Sequence, residues 1–202
     1  EIQENSLESF KEAAGHGLGI ELDIRDSRAE IVIAHDPPSG KSLGFKETLT
    51  ELVQIGFVGT LAINVKSDGL IPEIQKLKPL LAGLDHYFFD MSIPQQVMYE
   101  KAELFTGIRV SDSDFESPSR APKLNAKSVI WLDSFDSEWW IGDPIVKLLK
   151  SGAKVHVVSP ELHGRDPEQA WLFLSENFYN FSNLGICTDH PFEFLKGIGG
   201  DK

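Results

Sequence analysis

Short apolar runs recur along the chain, separated by stretches whose apolar residues return every three or four positions. Leu18 to Ile24 and Ile31 to Ala34 read as strands separated by a polar turn, and Leu61 to Val65, His86 to Asp90, Leu104 to Val110, Val129 to Leu132, Lys154 to Val158 and Leu184 to Cys187 as further strands. Ser6 is an N-cap candidate for a helix running to about Ala14, with Leu7, Phe10, Ala13 and Ala14 on one face and Gly15 near its end. Phe45 to Ile55, Leu70 to Leu81, Pro94 to Glu103, Pro144 to Leu149 and Pro167 to Leu174 have helical spacing, and a short helix starts at Phe192. Pro72 is acceptable in the first turn of its helix. Ser111 to Leu124 is a polar connection containing prolines.

Strands alternating with helices, many of the strands continuously apolar, indicate parallel β/α units. About seven such units can be counted, one short of a closed (β/α)8 TIM-type barrel. The expected fold is therefore an α/β barrel whose first strand is absent from the chain given. No low-complexity tract or linker interrupts residues 1–202, so one barrel domain is expected. The chain has neither a Gly-x-Gly-x-x-Gly nor a Walker-type loop, which argues against a dinucleotide or P-loop fold.

In α/β barrels, catalytic groups gather at the C-terminal ends of strands. Glu21, Asp23, His35, Asn64, Lys66, Asp90, Arg109, Asp133 and Asp189 all fall at or near such ends. Residues i and i+2 of a strand share a face, so Glu21 and Asp23 project into one space. Two carboxylates among apolar neighbours are costly without a cation between them, and helix capping does not explain their spacing. A divalent metal held by Glu21 and Asp23 is the expectation, Mg²⁺ or Ca²⁺ by the hardness of the oxygens. Asn64 can add a neutral amide oxygen, or can instead hydrogen-bond a neighbouring strand end. Lys66 shares its face and needs a counter-anion, which a substrate's phosphoryl oxygen would supply. His35, after Ile-Val-Ile-Ala, is an acid/base candidate. His163 and Glu161 follow a strand but also suit an ordinary loop. Asp90, Asp133 and Asp189 read as caps or solvated loop carboxylates. Trp131, Trp139, Trp140 and Trp171 read as core or rim aromatics, with Trp139 and Trp140 also placed to line a groove.

The net charge of −12 argues against a nucleic-acid or anionic-membrane surface. It leaves room for an anionic small molecule in a cleft dominated by a metal and local cations. Cys187 is the only cysteine, so an intrachain disulfide is impossible, which fits a reducing, cytoplasmic setting. No apolar run approaches the roughly 20 residues that span a bilayer.

Glu-Asn-Ser-Leu-Glu-Ser-Phe (Glu4 to Phe10), Ala-Ala-Gly (Ala13 to Gly15), Glu-Leu-Asp (Glu21 to Asp23), His-Asp-Pro (His35 to Pro37) and Gly-Ile-Cys-Thr-Asp-His-Pro (Gly185 to Pro191) follow one another in an order that resembles the glycerophosphodiester phosphodiesterases. That family belongs to the phospholipase-C-like phosphodiesterases. The resemblance covers nearly the whole chain, most weakly in its middle third. It implies a metal-dependent phosphoric diester hydrolase that yields glycerol phosphate and an alcohol, with His35 protonating the leaving alkoxide and Lys66 stabilising charge on phosphorus. Two departures stand out. The family's opening strand ends in His-Arg, and its catalytic His has no match from Glu1 onward. The family's third metal carboxylate, in a "Glu-x-Lys" strand, is replaced here by Asn64, while Lys66 is kept. These departures leave two alternatives: a catalytically impaired phosphate- or metal-binding barrel, or a phosphodiesterase acting on a lipid or polymer linkage.

Overall fold

Helix α1 (Leu7–Gly15) begins where the Ser6 side chain accepts the Ser9 amide proton, in a reciprocal capping box that satisfies donors a free helix end would leave orphaned. The structure, a computed structural model, describes residues 5–38, 40–113, 124–178 and 180–198. The chain forms two compact units, residues 1–106 and 107–202.

In the first unit, strands β1 (Ile20–Ser27), β2 (Glu30–Ile33) and β3 (Leu43–Gly44) precede helix α2 (Phe45–Gln54). Strand β4 (Thr60–Val65), short helices α3 (Ile71–Lys76) and α4 (Lys78–Leu81), strand β5 (Asp85–Phe89) and helix α5 (Ile93–Lys101) follow. The sheet order is β3-β2-β1-β4-β5, with β1, β4 and β5 parallel. Strand β2 is not a parallel β/α unit: it folds back antiparallel on β1, with Ser27 opposite Glu30. The two residues between, Arg28 and Ala29, both have positive φ (50° and 66°), the requirement of a tight hairpin turn. Such turns favour Asn-Gly, and Arg-Ala carries no such signal. The helix expected over Leu70 to Leu81 is broken at Leu77, because Pro79 lacks an amide donor and its ring crowds the carbonyl four residues back.

Strand alternation divides the two faces of this sheet. Ile20, Leu22, Ile24, Leu61, Ile63, Val65 and Phe88 pack with Phe10, Leu49, Leu52, Ile74 and Tyr99 in an apolar core. Glu21, Asp23 and Asn64 occupy the opposite face. Close approach of the backbone just before β4 helps to set this register. A Cβ on Gly59 would lie 2.4 Å from the Leu18 carbonyl oxygen and 2.8 Å from the Phe57 ring. Gly59→Ala should therefore destabilise the protein by about 1–3 kcal/mol in urea unfolding, and a neutral result would mean that the loop yields freely.

The second unit contains β6 (Ile108–Val110), β7 (Val129–Leu132), helix α6 (Asp143–Lys150), β8 (Lys154–Val158), a 3-10 turn (Pro160–His163), helix α7 (Glu168–Phe178), β9 (Leu184–Cys187) and helix α8 (Pro191–Ile198). Its sheet is parallel throughout, in the order β6-β7-β8-β9. The strand expected from Leu104 is shorter than its apolar run; Thr106 makes only an isolated bridge to Phe88. Most of the Ser111 to Leu124 connection lies outside the described residues. Ile130, Leu132, Val155 and Val157 pack with Trp140, Ile145, Leu149, Leu174 and Phe178. Among the described residues, no helix is long and apolar enough to cross a membrane.

Candidate functional site

Parallel pairing of β1 with β4 sets Asp23 beside Asn64 and Glu21 beside Ala62. Because both strands alternate in phase, three polar side chains converge on a surface whose other neighbours are buried and apolar. Asp23 and Asn64 are 5% and 7% exposed, so their polar atoms depend on protein partners. The Asn64 amide donates to Glu21, while Asn64 Oδ1 is buried without a partner. Burial, then repulsion from Asp23, push the Glu21 carboxyl up to about 8; the Asn64 hydrogen bond and Lys66 act in the opposite direction.

Lys66, one residue beyond β4, reaches across to Asp23 Oδ1 at 3.4 Å and to Asp90 Oδ2 at 3.8 Å. The ammonium expected to await a substrate anion thus already has two carboxylates near it. Asp90, read from sequence as a cap or loop carboxylate, belongs to this cluster, and it holds a left-handed backbone (φ 67°) immediately after β5. Asn5 Nδ2 adds a 3.4 Å contact to Asp23 Oδ2. Among the described residues, no three His, Cys, Asp or Glu side chains form a metal-binding group. The third oxygen beside Glu21 and Asp23 is that of the Asn64 amide.

His35 is carried to the same strand end by the hairpin, where the Ala34 amide donates to the Asp23 carbonyl at 3.0 Å. Its ring is largely exposed, with Nδ1 3.2 Å from Asp36 Oδ1. Arg25, also on the face of Glu21 and Asp23, donates through Nε to the His35 carbonyl (2.9 Å) and through Nη1 to the Lys66 carbonyl (3.3 Å). The Asp26 amide donates to Ser67 Oγ at 3.0 Å, so the hairpin and the loop after β4 are tied at several points.

A second polar cluster lies at the strand ends of the other unit. Asp133 is 1% exposed and was expected to be a cap or solvated carboxylate; it does accept the Ser134 amide, but it also accepts Arg109 Nη2 at 2.6 Å and pairs with His163 Nε2 at 2.7 Å. The Phe135 ring packs on both partners, 4.8 Å from the His163 ring and 5.2 Å from the Arg109 guanidinium carbon. Arg165 bonds Glu138 and the Ser134 carbonyl, and Glu161 accepts Ser159 and Thr188 hydroxyls. Trp139 donates to the Asp133 carbonyl, whereas Trp140 is fully buried in the core. Asp189 is exposed, as a solvated carboxylate should be.

No protein-family model and no curated protein matches the chain. Solved structures do. A glycerophosphodiester phosphodiesterase from Parabacteroides distasonis matches with a TM-score of 0.70 at 15% identity, over 96% of this chain and 90% of that one. One from Agrobacterium tumefaciens matches with a TM-score of 0.68 at 17% identity, over 97% and 93%. A glycerophosphoryl diester phosphodiesterase from Parabacteroides distasonis matches with a TM-score of 0.69 at 14% identity, over 98% and 81%. At this identity the likeness establishes the fold. The chain has the α/β, TIM-type barrel fold of these phosphodiesterases.

Proposed function

We propose that the protein is a metal-dependent phosphoric diester hydrolase, acting on a glycerophosphodiester to give glycerol phosphate and an alcohol. The observation that carries the reading is the orphaned Asn64 Oδ1, buried beside Glu21 and Asp23 where β1 and β4 pair in parallel. An amide oxygen and two carboxylates make a donor set suited to a hard cation, Mg²⁺ or Ca²⁺. The fold neighbours, named for this activity, support the substrate class.

A divalent cation bound there would lower the pKa of a coordinated hydroxyl and offset charge on phosphorus. The chain's residues do the rest. Lys66 leaves part of its charge on Asp23 and Asp90 and turns the remainder toward the phosphoryl oxygens. As the substrate hydroxyl bonds to phosphorus it gives up its proton to solvent, the bond to the departing alkoxide breaks and a cyclic phosphodiester is left. Water then bonds to phosphorus and one ring P–O bond breaks, which gives glycerol phosphate. His35, exposed and beside Asp36, supplies the proton that alkoxide needs.

The rival reading is a barrel that binds phosphate without turning it over. It is favoured by the Lys66 pairing, which balances part of the site's negative charge without a metal. Hydrolysis of a glycerophosphodiester, measured with Mg²⁺ or Ca²⁺ present, separates the two. Turnover is expected, and His35→Ala should slow alkyl diesters more than activated aryl diesters, whose leaving groups need little protonation. Turnover no faster than the metal-only background would leave the binding reading in place.

A further inference from the structure

We propose that Arg25 is the residue that receives the substrate's phosphate, so this inference rests on the phosphodiesterase reading. Arg25 follows Glu21 and Asp23 at i+4 and i+2 on β1 and therefore stands on their face, at the strand end that carries the site. Two of its five N–H donors are fixed, by the carbonyls of His35 and Lys66. Those carbonyls belong to the acid candidate and the ammonium candidate, so the guanidinium is held in register with both. Among the described residues Arg25 has no carboxylate partner, and its Nη2 is neither hydrogen-bonded nor buried.

Such an unspent charge is informative in this protein. Arg25 is set apart from surface cations unpaired among the described residues, such as Lys46 and Lys147, by the two backbone carbonyls that hold it on the strand carrying Glu21 and Asp23. Lys66 differs: its ammonium is already shared between Asp23 and Asp90. Held through Nε and Nη1 by the two carbonyls, the guanidinium keeps both Nη2 hydrogens as an oriented two-donor fork for non-bridging oxygens of a phosphate. Because the fork is oriented before binding, little side-chain entropy is lost when the anion arrives.

The test uses the full chain with inorganic phosphate as the probe, by calorimetry with Mg²⁺ present and again with chelator. Gln at position 25 keeps a donor for a carbonyl and loses the charge and fork. Arg25→Gln should weaken phosphate binding by about 10-fold or more, both with and without the metal, while melting stays near that of the parent. Arg25→Lys should fall between them, because it keeps the charge alone. In the active enzyme, KM should rise more than kcat falls. Phosphate binding by Arg25→Gln equal to that of the parent overturns the assignment. So does a parent that binds no phosphate. Equal losses of melting temperature in the Gln and Lys variants, with phosphate affinity kept in the folded fraction, also overturn it by making Arg25 a purely structural tie. A parent that binds phosphate through Arg25 yet turns over no diester sinks the hydrolase reading alone and leaves the assignment of Arg25 intact.

Discussion

Mg²⁺ or Ca²⁺ should raise the melting temperature of the wild-type protein and leave that of Asp23→Ala unmoved, with the wild-type rise growing between about pH 6 and about pH 9. The pH dependence comes from Glu21, whose carboxyl burial and Asp23 hold up to about 8. A carboxyl raised on folding binds more protons in the folded state than in the unfolded chain. Its contribution is therefore fully present below the unfolded value and is lost as pH rises through the folded one. Metal-free protein should lose stability as pH rises from the ordinary value of 4.5 to about 8, and level off once Glu21 ionises beside Asp23 in the folded state. A cation bound between the two carboxylates reverses the penalty, since it needs both ionised. Its stabilising effect is consequently largest where the metal-free protein is weakest. In Asp23→Ala, one ligand and the main repulsive neighbour of Glu21 vanish together, which removes both the metal response and much of the pH slope. Thermal melts of both forms across that range, with metal and with chelator, check this. Equal melting of the wild type with and without metal at alkaline pH would remove the metal from the account.

The residues nearest this prediction were the most legible in the sequence. Glu21, Asp23 and Asn64 announce themselves by a strand's two-residue period, because carboxylates repeating inside an apolar run have no cheap local explanation. The parallel β/α architecture was legible for a similar reason, since continuous apolar runs and helical spacing are local patterns. Illegible features depend on partners distant in the chain. Asp90 and Asp133 look like ordinary turn aspartates until Lys66, Arg109 and His163 arrive from elsewhere in the chain. The bonds from Arg25 to two distant carbonyls, on which its proposed role rests, are likewise not written in the local sequence. The polar turn between Ile24 and Ile31 was legible, but its tight antiparallel pairing was not, because Arg28 and Ala29 adopt left-handed backbone without the Gly or Asn that advertises it. Pro79, which splits the expected helix over Leu70 to Leu81, was visible all along, and its break follows from local chemistry alone.

Asp133→Ala should destabilise the protein by about 3 kcal/mol, the low end of the cost of removing one member of a buried ion pair. All of the carboxylate is engaged: Oδ2 takes Arg109, and Oδ1 takes His163 and the Ser134 amide. Alanine leaves three donors facing a small void with no acceptor. Full cost is not expected, because the Arg109 and His163 side chains are 28% and 24% exposed and can turn partly to water. For the same reason, His163→Gln should cost less than Asp133→Ala, since Gln can donate to Oδ1 and leaves Asp133 bonded to Arg109. A double-mutant cycle on the pair isolates the coupling. Urea unfolding of the two single variants and the double variant gives the numbers. A coupling near zero, with Asp133→Ala within about 1 kcal/mol of wild type, would mean that Arg109 and His163 are held by their packing on Phe135 rather than by the carboxylate.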